Sequence, residues 1–359
     1  MNKLKILFRV DANSVLGLGH LMRCLVLAEI FRSRGHSCAF LTLNSDVDLL
    51  SILKSKGFKQ QDLIIQSSFG NKICLEKNQE FEELNYSCVQ YGLEYSPDIL
   101  IVDHYWIDHE WESNFKNHGI KILVLDDLAA SKHNCDFLVH QTNIKSKKAY
   151  SSLTPPEARI LAGFEYMILR TELHVQRTNI QNLPLNAKNI LVAFGFTDSN
   201  NLTLSIGRLL SSIEFDTEKK ITILVGKSSI LRMVEQNLSS QSKNEVILLS
   251  MNSSVDIIQL LKQTDYAVTA GGLLSIELAY LGIPCTVIPS SKIQYDVAMS
   301  LALQVNNNVI PESFVEDDLV QHLHASLVQQ KNNFKRIFHP DIDGLGAKRI
   351  VEAVLIEHE

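Results

Sequence analysis

No stretch of this sequence stays apolar for anything near the roughly 20 residues that a membrane-spanning helix requires. The opening residues, Met1-Asn2-Lys3-Leu4-Lys5, run into a short apolar segment that soon meets Arg9 and Asp11. A secretory signal would need a longer apolar core and a cleavage site. A soluble, cytoplasmic protein with no integral membrane segment is therefore expected. Cysteine is sparse and scattered. Cys24, Cys38, Cys74, Cys88, Cys135 and Cys285 form no C-x-x-C pair, so neither a zinc site nor a disulfide framework is indicated, and buried thiols in a reducing compartment are expected. Basic residues are in the minority, 34 Lys and Arg against 40 Asp and Glu. The chain thus lacks the basic surface that nucleic-acid binding calls for. There is no short-period repeat and no low-complexity tract.

What is present is an ordinary globular composition of 45% hydrophobic and 21% charged residues over 359 positions, enough for two domains. Short apolar runs alternate with helical patterns. In the first half, strands are expected at Lys5–Val10, Cys38–Leu43, Ile99–Val102, Lys121–Leu125 and Phe137–His140. Helices are expected near Leu21–Arg34, Val47–Lys56, Glu80–Tyr95 and Glu110–Asn117. In the second half, strands are expected at Asn189–Phe194, Ile221–Val225, Val246–Leu249, Tyr266–Thr269 and Cys285–Ile288. Helices alternate with them, near Leu202–Ser211, Ile230–Leu238, Val255–Lys262 and Leu274–Leu281, and a last one near Ala347–Ile356 closes the chain. Such alternation builds a parallel sheet covered on both faces. The stretch from about Tyr150 to Leu185, with Pro155-Pro156, Gly163 and Pro184, is the candidate linker. The expected fold is α/β, with two Rossmann-like domains, 1–182 and 183–359, facing across a cleft.

The loop after the first strand is the richest in chemistry. Gly17-Leu18-Gly19-His20 places a histidine where a helix begins, with Leu21, Leu25 and Ala28 on its apolar face. The positive end of a helix favours neutral imidazole, which can act as a general base near pH 7. Strand-to-helix loops are also where open α/β sheets bind ligands. Val102-Asp103-His104-Tyr105 and Leu125-Asp126-Asp127 put further polar groups at strand ends. Tyr105 can donate to a sugar or a water. Asp103, Asp126 and Asp127 are orienting acids, helix caps or turn formers. A structural role is expected for His104, and an ion pair for Arg9 with an acid such as Asp11. Arg23 would pair with such an acid or with a ligand. His133, Cys135 and His140 are too irregularly spaced for a metal site.

In the second half, Thr269-Ala270-Gly271-Gly272-Leu273-Leu274-Ser275-Ile276-Glu277 ends a strand and opens a helix. Paired glycines let a ligand approach the backbone, and free N–H groups at a helix start favour phosphate. Glu277 can accept hydrogen bonds from ribose hydroxyls. Phe194-Gly195-Phe196-Thr197-Asp198-Ser199 sits at the first strand-to-helix loop of this half. There Gly195, Thr197 and Ser199 would meet a diphosphate, or Asp198 or Ser199 would cap the following helix.

Taken together, these strings resemble a known family. They are Arg9-Val10-Asp11-Ala12, Gly17-x-Gly19-His20-x-Met22-Arg23-Cys24, Val102-Asp103-x-Tyr105, Asp126-Asp127-Leu128-Ala129 with His133-x-Cys135-Asp136, and Gly271-Gly272 with Glu277. The family is the UDP-2,4-diacetamido-2,4,6-trideoxy-β-L-altropyranose hydrolases of pseudaminic acid biosynthesis. The resemblance implies a glycosyltransferase B-like fold and inverting, metal-independent hydrolysis of a UDP-linked diacetamido sugar, with no cofactor. By the same resemblance His20 is the catalytic base and Tyr105 stands beside it at the sugar. Asp11, Gly17, Gly19 and Arg23 would form the sugar side, while Gly195, Thr197, Gly271, Gly272, Glu277 and Gln294 would form the UDP side. The chain departs from the family pattern at Phe196-Thr197, Leu273-Leu274 and Ile293. A glycosyltransferase of the same fold, or a non-catalytic nucleotide-sugar-binding protein, would share most of these features.

Overall fold

The computed structural model describes residues 3–13, 16–43, 49–65, 79–142, 147–186, 188–196, 198, 201–215, 217–226, 231–232, 234–235, 244–251, 255–305, 307–310, 321, 323 and 335–357. The chain divides into two compact units. One is Met1–Arg170 together with Ile342–Glu359, and the other is Thr171–Asp341.

The first unit runs β1 (Lys5–Val10), α1 (Gly19–Ser33), β2 (Ser37–Leu41), α2 (Leu49–Ser55), β3 (Leu63–Ile65), α3 (Gln79–Tyr95), β4 (Ile99–Asp103), α4 (His109–Lys116), β5 (Lys121–Leu125), β6 (Phe137–His140), α5 (Lys147–Tyr150) and β7 (Arg159–Ala162). Its seven strands are all parallel, in the order β3-β2-β1-β4-β5-β6-β7. The central strands carry apolar side chains toward both faces, as a strand covered on both sides must. Ile6, Phe8 and Ile101 pack on one side with α1, while Leu7, Leu100 and Val102 pack on the other with Trp111 and Phe115. The direction of sheet growth reverses between β1 and β4. The loops leaving those two strands diverge there and open a crevice at their carboxyl ends.

The second unit repeats the scheme: α6 (Glu172–Ile180), β8 (Asn189–Ala193), α7 (Leu202–Ser212), β9 (Lys220–Val225), β10 (Glu245–Ser250), α8 (Ile257–Gln263), β11 (Tyr266–Thr269), α9 (Leu273–Leu281), β12 (Cys285–Val287), α10 (Lys292–Ala302) and β13 (Asn307–Val309). Its sheet, also parallel, has the order β10-β9-β8-β11-β12-β13. The reversal falls between β8 and β11, so the loop with Gly195 and the loop with Gly271 and Gly272 lie at its switch point. No helix among the described residues is long and apolar enough to cross a membrane.

The units do not break at 182/183. The closing helix, α11 (Gly346–Ile356), belongs to the first unit, not to the second half in which its sequence position had placed it. Its buried face, Ala347, Ile350, Val351 and Val354, joins the core built by β1 and α1. A Cβ on Gly346 would lie 2.3 Å from the Met167 carbonyl oxygen, so only glycine permits this approach. The expected linker holds β7 and α6 instead. Both have weak sequence signals: β7 is a half-exposed edge strand, and α6 buries only Leu173 and Ile180.

Ile350→Ala should therefore destabilise the first unit by about 2–5 kcal/mol, the usual cost of such a cavity. Denaturant unfolding followed by Trp106 and Trp111 fluorescence checks this. A midpoint unchanged from the parent would contradict the assignment of α11 to this core.

Candidate active site at the carboxyl edge of the first sheet

The loop after β1 reaches α1 through Gly17 and Gly19. Gly17 adopts φ +74°, a conformation that side-chain-bearing residues rarely hold. Its N–H donates to the Asn13 carbonyl at 2.8 Å, and the Leu16 N–H donates to Asn13 Oδ1 at 2.9 Å. This tight turn delivers His20 into the first turn of α1, against the end of β4. His20 Nδ1 lies 2.6 Å from Asp103 Oδ1. An ionised carboxylate only accepts, so Nδ1 carries a proton, and the neutral tautomer this contact selects is the one with its lone pair on Nε2.

Asp103 is fixed by a second helix residue. Arg23, one turn after His20, donates from Nε to Asp103 Oδ2 and from Nη2 to Asp103 Oδ1, both at 2.6 Å. Its Nη1 reaches both oxygens of Asp127, at 2.8 and 3.1 Å. Nη2 also passes 3.2 Å from His20 Nδ1, but that nitrogen already donates to Asp103, so the approach is a packing contact. Burial alone would push the Asp103 carboxyl up. The Arg23 charge and then His20 outweigh it and hold Asp103 well below the usual carboxylate range. Burial would likewise lower Arg23, and Asp103 followed by Asp127 more than compensates. The Tyr105 ring meets His20 edge-on, with centroids 4.6 Å apart. Burial, then the Asp127 charge, push the Tyr105 hydroxyl up, so it stays a donor at neutral pH. Cys24 donates weakly to Asp103 Oδ2 at 3.6 Å, and burial raises its thiol well above the ordinary value. It is no nucleophile.

Two buried clusters support this edge. Asp11, expected on the sugar side, is only 1% exposed and offers no surface to a ligand. Its carboxylate takes both Arg9 Nη groups at 2.7 and 3.0 Å, Thr42 Oγ1 at 3.1 Å and the Leu43 N–H at 2.9 Å. His104 Nε2 stands 3.2 Å away. Asp11 therefore shapes the site only by tying together the loops after β1, β2 and β4. Asn85 on α3 joins this node, accepting from Arg9 Nη2 at 3.1 Å, and nothing in its sequence context signals that role. In the second cluster, Asp126 folds back to accept from the Leu128 and Ala129 N–H groups, at 2.7 and 3.0 Å. His133 donates to Glu112 at 2.7 Å and lies 3.7 Å from Asp126. Burial would lower His133, but its bonds to Asp126 and Glu112 carry it up to about 9.

Of the predicted residues, His20, Arg23 and Tyr105 come together here, with Gly17 and Gly19 in the same loop. Arg23 is committed to two carboxylates rather than to a ligand. The remaining predicted residues lie in the second unit. Gly271 is pressed against α10: a Cβ there would sit 2.4 Å from the Gln294 carbonyl oxygen. Gln294 Oε1 accepts from Ser290 N and Oγ at 3.0 and 3.1 Å, which closes the loop beside the glycines. Gly272 precedes α9 with no side chain capping the helix. Glu277 is wholly buried along that helix, so it presents no exposed face to a ribose. Gly195 follows β8 with φ +82°. Thr197 and Ser199 lie outside the described residues. Asp198 caps α7, accepting from the Leu202 and Thr203 N–H groups, each at 2.9 Å.

Two parallel sheets, each with a switch point between its central strands, make the glycosyltransferase B fold. Solved structures agree on the fold. The chain matches UDP-GlcNAc 2-epimerase from Neisseria meningitidis bound to UDP-GlcNAc with a TM-score of 0.69, at 12% identity, covering 98% of this chain and 100% of that one. It matches MurG of Acinetobacter baumannii with a TM-score of 0.64, at 14% identity, over 99% and 100%. By sequence it is 28% identical over 204 residues to UDP-2,4-diacetamido-2,4,6-trideoxy-β-L-altropyranose hydrolase of Campylobacter jejuni, 56% of this chain and 64% of that one. It is 25% identical over 332 residues to an uncharacterized protein of Methanocaldococcus jannaschii, 89% of this chain and 63% of that one. A spore coat polysaccharide biosynthesis protein of Bacillus subtilis is 26% identical over 147 residues, 41% of this chain and 42% of that one. The chain thus spans less than two thirds of the length of these curated relatives. No family model matches it.

The charged state of His133 makes a stability prediction. Its folded value, about 9, stands above the ordinary 6.5, so its contribution is complete below about pH 6.5 and is lost as pH rises through about 9. The parent should lose melting temperature across that window, while His133→Gln, less stable at pH 6, should show a flatter profile. Parallel profiles for the two proteins would contradict the assignment.

Proposed function

We propose that this protein hydrolyses a UDP-linked 2,4-diacetamido-2,4,6-trideoxy sugar to UDP and the free sugar, with inversion at the anomeric carbon, in nonulosonic acid biosynthesis of the pseudaminic type. The observation that carries the reading is the 2.6 Å contact between His20 Nδ1 and Asp103, set at the switch point of the first sheet. The resemblance of the surrounding strings to the hydrolase family, and the similarity to its Campylobacter jejuni member, supply the substrate.

In this reaction His20 Nε2 removes a proton from water as the oxygen attacks C1. The C1–O bond to UDP breaks on the opposite face, and its electron pair leaves with the diphosphate. Asp103 stabilises the imidazolium that forms, and Arg23 keeps Asp103 ionised and oriented. Tyr105 donates to the sugar or to the attacking water. UDP is a good leaving group, so its departure needs N–H donors more than a strong acid. Gly272 and the uncapped start of α9 supply such donors, with Gly271, Gly195 and Gln294 around them. Leu273 and Leu274 bring no hydroxyl, so the diphosphate is held by backbone groups.

Incubation with a panel of UDP-linked acetamido sugars, following UDP release and the anomeric proton together by NMR, tests the reaction. Free sugar of inverted configuration should appear at the full rate of UDP release, with or without added glycan or lipid acceptors. Release that depends on an acceptor would make the protein a transferase instead. His20→Asn should lower kcat by about 10²–10⁴-fold, the usual worth of a general base, while UDP binding persists. Asp103→Asn should fall in the same range, because an amide does not hold the imidazole in the required tautomer. Activity near the parent level in a folded His20→Asn protein would refute the assignment.

A further inference from the structure

The charged network around His20 has one member turned outward. The side chains of Asp103 and Asp11 are 0% exposed, while that of Asp127 is 22% exposed. The two neighbouring acids at the end of β5 face different ways. Asp126 bends back onto the Leu128 and Ala129 N–H groups, and Asp127 reaches Arg23 Nη1. An ionised carboxylate offers about four acceptor positions, and Arg23 takes one on each oxygen. Asp127 thus still has acceptor capacity on its exposed side. After burial, Asp127 is also the strongest influence on the Tyr105 hydroxyl, ahead of Arg23, Asp103 and Asp126. Tyr105 and Asp127 each follow by two residues the end of one of the paired strands β4 and β5; Tyr105 packs edge-on to His20, and Asp127 joins the same cluster through Arg23.

We propose that Asp127 and Tyr105 form a donor–acceptor pair that reads a secondary amide on the sugar. Asp127 accepts the acetamido N–H, and Tyr105 donates to its carbonyl oxygen. This rests on the proposed nucleotide-sugar reaction and adds the residues that select the acyl-amino sugar. A hydroxyl in the amide's place keeps one donor but has no carbonyl for Tyr105 to reach. A carboxylate in that position meets Asp127 with like charge and nothing to donate. The pair thus favours acylated amino sugars over plain hexoses, and both over hexuronates. Asp127 also positions Arg23, so the test must separate selection from support.

The measurement is calorimetric binding, to the parent, Asp127→Ala and Tyr105→Phe, of UDP-linked acetamido hexoses, of UDP-hexoses with a hydroxyl at the same carbon, and of UDP alone. Where turnover is seen, kcat and KM are compared. The parent should prefer the acetamido ligand, and each variant should lose about tenfold or more of that preference, as expected when one hydrogen bond to or from a site group is removed. Binding of UDP alone should not change. A purely supporting role for Asp127 would lower kcat on both sugar classes alike and leave the preference intact, and that result would overturn the inference. So would a parent that binds both classes equally. A parent that binds neither UDP nor any UDP-sugar would overturn the proposed function itself, and the inference with it.

Discussion

The contact on which the chemistry proposed for the first unit depends is the buried carboxylate of Asp103. A lone charge in that position would be costly, and removing one partner from a buried pair typically costs about 3–5 kcal/mol. Asp103 is held by Arg23 through two short hydrogen bonds and faces His20 on its remaining side. The same arrangement that makes the charge tolerable also sets the histidine's tautomer. Stability and the proposed chemistry are thus coupled through one side chain at the end of β4. Arg23 carries the coupling outward to Asp127, which is the part of the network that meets solvent.

This node can exist because of topology. The first sheet reverses its direction of growth between β1 and β4, so the His20 loop and the Asp103 loop leave neighbouring strands and diverge. His20 and Arg23, three residues apart on α1, stand on one helix face and close on Asp103 from the same side. The first buried cluster, Arg9–Asp11–His104 with Asn85, anchors the same loops. The second, His133 with Glu112 and Asp126, fixes the turn from which Asp127 projects. Both clusters are buried, and in both the carboxylates are held by a cation or histidine together with N–H or hydroxyl donors.

Much of this was legible in the residues. The switch-point strands have apolar runs buried on both faces, so β1, β4, β5, β8 and β11 stood out, as did the His20 loop with its glycines. Tyr105 was legible as a donor at a strand end. Arg23 was not resolved, because an arginine at the start of a helix pairs equally well with an acid or a phosphate until the acids' positions are known. The family resemblance sets Asp11 on the sugar side, yet its burial depends on Thr42 and Leu43, about thirty residues away. Long-range contacts also decide the fate of α11, whose apolar face fits any α/β core. Its membership in the first unit follows from the packing of Gly346 against Met167. The edge elements β7, β13 and α6 escaped because half-exposed segments carry little periodic signal.

The central claim is that water attacks the anomeric carbon and UDP leaves with its own oxygen. A single-turnover reaction in ¹⁸O-enriched water, read by mass spectrometry of the released UDP, tests it directly. The account predicts unlabelled UDP, with the heavy oxygen entering at the sugar. Label in the terminal phosphate of UDP would mean attack at phosphorus and would contradict it.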